Sequence, residues 1–200
     1  MSIIIPANSA VGGGFDVANS LRTNRGSSDY LSRTNGSAGN RRTFTISFWI
    51  KKALLTNSPY MFGTATSTTN IIDIYNSSDS CLSMEAYTGA WTLRLHSDPL
   101  LRDTSAFSHI CYAIDTTQNT DTNRVKLYIN GVQTTFDTSK NRVFPSQNLE
   151  LPYNQNSGGV RINCQANYNA EFMSAYYSEF CMVDGQALDP TSFGEFDEDS

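Results

Sequence analysis

The feature that most constrains the fold is a run of residues, 43–50, in which positions of two kinds alternate strictly along the chain. In this run every second residue is large and apolar: Phe44, Ile46, Phe48 and Ile50 alternate with Thr43, Thr45, Ser47 and Trp49. Successive side chains of a β-strand point to opposite faces, so a period of two residues predicts a strand with one face in a core. The other face, which carries Trp49, is expected to contact a neighbouring strand or subunit.

A second alternating run consists of Val125, Leu127 and Ile129, and Asn130-Gly131 follows it directly. This dipeptide tolerates the positive φ angles of a two-residue hairpin turn, so Val132–Phe136 is expected to return as the partner strand. Further strands are predicted from short apolar runs bounded by turn residues, including 71–75, 81–87, 91–96 and 172–183.

Helical patterns are almost absent from the sequence. No segment carries apolar residues at helical spacing over three turns. The one helical feature predicted is a single turn at Asp189–Phe193, because Asp is a favoured N-cap and Pro190 suits the first helical position. The strand spacing therefore predicts an all-β fold, a two-sheet antiparallel sandwich with at most one short helical turn.

The amino-acid composition agrees with an all-β fold and argues against nucleic-acid binding and membrane insertion. The chain contains 24 Ser, 20 Thr and 18 Asn in 200 residues, and such residues suit turns and strand edges better than helices. With a net charge of −5, the chain is not expected to carry the large basic surface that binds nucleic acid. No apolar run approaches the ~20 residues needed to cross a bilayer, so membrane insertion is not expected either.

The chain is divided into an arm and one domain. Residues 1–14 contain Ile3, Ile4 and Ile5 and end in three consecutive glycines, which favours an assembly arm with a hinge. Residues 15–200 are predicted to form a single domain with an acidic C-terminal tail. The start has no signal-peptide pattern, so synthesis in a cytosol and four unpaired cysteines are expected.

Three stretches of sequence resemble a known family. They are residues 44–52, residues 109–117 with 123–131, and residues 178–190 with 193–195, of which 184–190 (Asp-Gly-Gln-Ala-Leu-Asp-Pro) is the most specific. Together they resemble the concanavalin A-like, laminin G-type jelly rolls of bacteriophage tail-fibre-like virion proteins. The resemblance implies a jelly-roll fold and a structural protein (a fibre, knob or decoration) on the virion surface, made in the host cytoplasm.

The implied partners are other virion proteins, further copies of the chain, with a trimer favoured, and a host-surface glycan. A carbohydrate-binding adhesin as the primary role is the alternative, and a glycoside hydrolase is the least favoured reading. No cofactor is expected; calcium is open, but no motif supports a metal site.

Candidate glycan-binding residues combine flat rings with amides, because rings cover the C–H faces of sugars and amides bond their hydroxyls. They are Trp91, Tyr153, Asn154, Asn156 and Tyr168. No catalytic residue is proposed. Glu195, Asp197 and Asp199 are interpreted as a solvated tail, His96 and His109 as structural or surface residues, and no cluster of His, Cys or carboxylates is expected on adjacent strands.

Overall fold

The computed structural model describes residues 4–6, 19–55, 58–156, 158–168 and 170–196, with only the backbone at 4–6, 195 and 196. Within these residues the chain forms fourteen strands. They are β1 (Ile4–Pro6), β2 (Leu21–Thr23), β3 (Leu31–Thr34), β4 (Thr43–Lys52), β5 (Tyr60–Ser67), β6 (Asn70–Asn76), β7 (Cys81–Tyr87), β8 (Trp91–Leu100), β9 (Ser108–Asp115), β10 (Val125–Ile129), β11 (Val132–Thr134), β12 (Gly159–Ile162), β13 (Ala175–Asp184) and β14 (Gly194–Phe196).

Twelve of these strands form two six-stranded sheets, and the predicted all-β sandwich is confirmed. The first sheet has the order β11-β10-β9-β4-β13-β2, and the second has the order β3-β12-β5-β6-β7-β8. All pairings within both sheets are antiparallel. The inner faces of the sheets pack on one another and enclose a single apolar core.

Strand β4 lies in the middle of the first sheet and explains the alternation in the sequence. Its inward residues Phe44, Ile46 and Phe48 have no exposed surface. Phe48 stacks on Phe180 with ring centroids 4.9 Å apart. Glu179, the residue before Phe180, has a φ of 50°. It lies in the bulge where the register of β13 against β4 shifts, between Ser178 and Cys181.

The other face of β4 is also buried, because the segment from residue 185 to residue 193 covers it. Thr45 Oγ1 donates to the Gln186 carbonyl at 2.7 Å and accepts from the Leu188 amide at 2.8 Å. Trp49 is 5% exposed, and its ring lies 5.0 Å from that of His109. Trp49 therefore contacts a neighbouring strand of its own chain. A neighbouring strand and a neighbouring subunit were the two contacts expected for that face.

The turns are partly as predicted. Asn130 and Gly131 have φ angles of 50° and 77° and join β10 to β11. The turn after Asp189 is a short 3-10 turn at Pro190–Ser192, and Asp189 accepts from the Thr191 amide as its N-cap. Two further 3-10 turns, Arg25–Ser27 and Asp121–Asn123, were not predicted, because single turns carry no periodic pattern.

The arm is described only at β1, whose backbone pairs with β14 in a separate two-stranded sheet. Ile3, the three glycines, Asp197 and Asp199 lie outside the described residues. The assembly role of Ile3, Ile4 and Ile5 and the division at residue 14 remain predictions.

No helix among the described residues is long and apolar enough to cross a membrane. None of the four cysteines, all of which the structure describes, forms a disulfide bond; Cys81, Cys111 and Cys164 are buried and Cys181 is partly exposed.

The stacked pair in the core generates a stability prediction. Phe48→Ala removes a fully buried ring and should lower the free energy of unfolding by about 3–5 kcal/mol. Val132→Ala, at an edge strand and 58% exposed, is the control and should change it by less than about 0.5 kcal/mol. Urea unfolding followed by circular dichroism measures both, and equal effects of the two substitutions would contradict the assigned core.

Candidate functional site

The polar side chains of the second sheet gather on the face that points away from the core, here called the outer face. Ile72, Met84 and Leu93 point into the core from β6, β7 and β8. The residues that alternate with them therefore point outward. On the outer face Asp73 lies opposite Glu85, and Glu85 lies opposite Arg94.

A connected series of polar contacts crosses this face from β7 to β8. Ser83 Oγ lies 2.7 Å from His96 Nδ1, and His96 Nε2 lies 3.8 Å from Glu85 Oε1. Arg94 Nε donates to the same Glu85 oxygen at 2.8 Å. The Arg94 guanidinium also lies 5.0 Å from the centre of the Trp91 ring. Arg94 thus joins an exposed aromatic ring to a buried carboxylate.

Asp73, on β6, is more deeply buried than the ionisable residues Glu85 and His96 of this series, at 3% exposed. It fits because residue 63, opposite it on β5, is glycine: a Cβ there would come within 2.2 Å of Asp73 Oδ1 and 3.0 Å of the Ala166 amide nitrogen. Burial raises the pKa of Asp73 to about 7; a hydrogen bond from the Ala166 backbone opposes this shift and the charge of Glu85 adds to it.

A cleft of about 400 Å³ opens beside this series. Its lining residues are Ser58, Tyr75, Ser77, Ser78, Asp79, Arg94, His96, Lys140 and Asn141. Lys140 forms an ion pair with Asp79, and its Nζ also lies 3.1 Å from Cys81 Sγ. The hydrogen bonds from Lys140 and then Ser77 hold the pKa of Asp79 well below its usual range. The cleft and the Trp91 ring form one surface, because Arg94 contributes to both.

This arrangement corrects one expectation from the sequence. A group of ionisable residues does lie on adjacent strands, since Asp73, Glu85 and His96 come from β6, β7 and β8. The signal was present: each of these residues alternates with core residues inside a predicted strand. It was missed because the pairing of three strands, rather than the sequence of any one, brings the residues together.

Two of the predicted ligand-binding residues are exposed on this side of the molecule. Trp91 is 41% exposed, and its ring is in a T-shaped arrangement with that of Tyr87, with centroids 5.1 Å apart. Tyr168 is 63% exposed and lies between Gln165 and Ala170, which pair with one another. Gln165 Nε2 donates to the Tyr60 hydroxyl at 3.3 Å, so the Tyr168 loop adjoins the outer face.

Tyr153 must be corrected as a candidate. It is 1% exposed, and its ring stacks on Phe44 with centroids 3.8 Å apart. Its polar neighbours suggested an exposed loop, but the loop crosses the open end of the core and the ring fills it. No face of Tyr153 is available to a sugar in this structure.

Asn154 and Asn156 lie next to that ring at the end of the sandwich where β6 begins. Asn154 is partly buried and accepts through its carbonyl from the Gly39 amide at 3.0 Å, whereas Asn156 is exposed. Between them, Gln155 bonds through its side-chain oxygen with Asn70 at 2.9 Å. These residues adjoin β6, two strands from Trp91, and do not line the cleft.

The geometry supports binding better than it supports nucleophilic chemistry. Ser83 has no exposed surface, so its hydroxyl cannot reach a substrate, and its contact positions the His96 ring. Burial lowers the pKa of His96, against the opposing charge of Glu85. His109 on the first sheet is also fully buried against Ser47, 2.8 Å away, and burial lowers its pKa to about 4. Within the described parts of the chain, no group of three or more His, Cys, Asp or Glu side chains could hold a metal ion.

The fold and this outer face can now be compared with known proteins. A laminin G-type model of the concanavalin A-like lectin/glucanases superfamily matches residues 25–171, more than half of the chain. The chain belongs to this superfamily. Among curated proteins the comparison finds no match.

Solved structures agree on the fold. Domain 4 of the arabinanase AbnA from Geobacillus stearothermophilus, solved with arabinotriose, is similar with a TM-score of 0.60, 17% identity and coverage of 95% of this chain and 84% of that one. The CBM40 of a Ruminococcus gnavus sialidase, bound to α2,3-sialyllactose, has a TM-score of 0.55, 11% identity and coverage of 82% and 96%. Mouse laminin α1 domains LG4-5 have a TM-score of 0.56, 13% identity and coverage of 96% and 49%. At these identities the likeness establishes the superfamily fold.

The burial of Asp73 predicts a specific dependence on pH. Its pKa is about 7 when folded and about 3.9 when unfolded, so the folded state binds the proton more tightly between these values. Asp73 therefore makes the protein less stable as the pH rises from about 4 to about 7. Asp73→Asn removes this penalty, and its stability relative to the wild type should rise over that interval by on the order of 3 kcal/mol.

Asp103→Asn serves as the control for this measurement. Hydrogen bonds from Ser105 lower the pKa of the exposed Asp103, so its loss should have the opposite dependence on pH. Chemical unfolding at several pH values measures both variants. A difference between Asp73→Asn and the wild type that is constant with pH would contradict the described burial of Asp73.

Proposed function

We propose that this chain binds carbohydrate on the outer face of its second sheet, with Trp91 as the stacking ring and the adjoining cleft as the polar part of the site. The observation that carries the proposal is the position of Arg94, which lies over the Trp91 ring and also lines the cleft. One ligand can therefore contact the ring and the cleft together.

The chemistry of this surface suits a sugar. A sugar ring presents C–H groups on its faces and hydroxyls on its rim, so it needs a flat apolar surface beside groups that donate and accept hydrogen bonds. Trp91 supplies the flat surface. The cleft supplies both kinds of polar group, through Ser77, Ser78, Tyr75 and Asn141.

The neighbouring structures support this proposal without establishing it. Two similar modules were solved with oligosaccharides, arabinotriose in one and α2,3-sialyllactose in the other. The shared fold can therefore present such ligands, and the ring and cleft are the place that we propose for one on this chain. Tyr168, exposed in the loop that adjoins the outer face, and Asn156, exposed beside β6, are proposed as further contacts of a longer glycan.

We propose binding without hydrolysis of the glycan. Glycosidases need two accessible carboxyl groups, one of them acting as an acid. Asp73 has the raised pKa of such an acid, but it is 3% exposed, and Glu85 is 9% exposed and paired with Arg94. Neither group can reach a glycosidic bond in this geometry. Release of reducing ends from a bound oligosaccharide would contradict this part of the proposal.

The resemblance of residues 184–190 to phage virion proteins supports a finer proposal about where the binding occurs. The chain is proposed to be displayed on a virus particle as a fibre, knob or decoration, in several copies and with a trimer favoured, held to other virion proteins through its arm. Repeated copies would raise the avidity of a weak site by about 10²–10⁴. Antibodies against the chain should then label intact particles, and particles without label would reject this role.

The main prediction concerns Trp91. Trp91→Ala should weaken binding to a glycan identified on an array by at least about tenfold, since losing about 1.4 kcal/mol of stacking has that effect. Phe107→Ala is the control, because Phe107 is similarly exposed, 39% against 41%, but belongs to neither the ring nor the cleft. Isothermal titration measures both, and equal binding by Trp91→Ala and the wild type would reject the site.

A further inference from the structure

We infer that the glycan taken by this site is neutral, and that two internal ion pairs exclude acidic sugars; this inference rests on the proposed function. The inference follows from the pairing of the cations at the site with carboxylates of the same chain. A carboxylate or sulfate on a sugar is recognised by a cation that is free to bind it, usually an arginine or lysine. Two cations line the cleft, Arg94 and Lys140, and both are already paired.

The first pair joins Arg94 to Glu85, with Arg94 Nε 2.8 Å from Glu85 Oε1. The Glu85 side chain is only 11% exposed, so solvent screens this pair less than a surface pair. The guanidinium is also held over the Trp91 ring. The pair uses Arg94 Nε and places a buried carboxylate beside the guanidinium, so an acidic sugar at Arg94 meets a weaker positive field than it would at an unpaired cation.

The second pair joins Lys140 to Asp79. The Asp79 side chain is 49% exposed, so this pair is weaker by itself, but its carboxylate also accepts from the Ser77 hydroxyl at 2.5 Å. Asp79 lines the cleft beside Lys140, and an anionic ligand would meet its negative charge at the point where it approached the cation.

Other ionisable residues at or near the cleft are His96, Arg102 and Asp137. His96 lines the cleft, and burial lowers its pKa, so its ring is neutral at pH 7. Outside the lining, Arg102 donates to the Asp79 carbonyl at 3.3 Å. Asp137, whose pKa is lowered by Ser139 and then by the charge of Lys140, contributes the opposite sign. A ligand therefore meets hydroxyls, an amide and an indole ring, together with two cations that are each paired with a carboxylate.

The ligand pair lactose and 3′-sialyllactose tests this inference, because they differ by one acidic sugar. An array of neutral and acidic oligosaccharides, which includes this pair and arabinotriose, is bound first by the wild type. The expected result is binding to neutral oligosaccharides, with each acidic counterpart bound at least about tenfold more weakly. Preference for the acidic members would overturn the neutral specificity while leaving the proposed function intact, and binding to no glycan would overturn both.

A charge-releasing variant makes the test specific to the two ion pairs. In Glu85→Gln/Asp79→Asn both cations lose their partners, and affinity for acidic oligosaccharides should rise by about tenfold or more relative to their neutral counterparts. This gain should shrink as salt is raised from about 0.05 M to 0.5 M, because an exposed charge interaction is screened.

Asp121→Asn is the matched control for the charge-releasing variant. It also removes a negative charge, but Asp121 lies on the exposed turn before β10 in the first sheet and should leave the preference unchanged. Circular dichroism and thermal melting establish that each variant is folded, and the single variants Glu85→Gln and Asp79→Asn are used if the double variant is not. Acidic-sugar binding that is the same in a folded charge-releasing variant and the wild type would reject the role of the ion pairs.

Discussion

The burial of β4 on both faces is the constraint on which the rest of the structure depends. Its inner face supplies Phe44, Ile46 and Phe48 to the core. A polar outer face in the middle of a sheet must still satisfy its hydrogen bonds, and Thr45 does so with the segment after β13. This segment includes residues 185–190 of the stretch whose sequence resembles phage virion proteins. In the structure those residues cover part of the first sheet.

The outer face of the second sheet solves the same problem in another way. Here polar side chains on β7 and β8 satisfy one another across the strands. Ser83, His96, Glu85 and Arg94 form one series of contacts, and the exposed ring of Trp91 ends it. In the proposed binding role, these contacts would reduce the side-chain entropy that is lost when a ligand binds.

Much of the fold could be predicted from the sequence, because a strand with one buried face has an apolar residue at every second position. The bounds of β7 and β10 were predicted without error, and the Asn130-Gly131 turn follows from the φ angles that these residues tolerate. The candidate site was predicted less well. Trp91 and Tyr168 are exposed as expected, whereas Tyr153 is buried, since nothing in its polar neighbourhood indicates that the loop passes over Phe44.

The sequence by itself determined that this chain forms an antiparallel sandwich and which faces of its main strands are apolar, because these properties depend on residues close together along the chain. Apart from the hairpin at Asn130-Gly131, only the tertiary structure decided which strands are neighbours. That choice places Asp73 opposite Glu85 and Glu85 opposite Arg94, and it leaves room for Asp73 at Gly63. The pairing of charges in the site depends on distances between strands, and such distances are set by packing rather than by any local pattern.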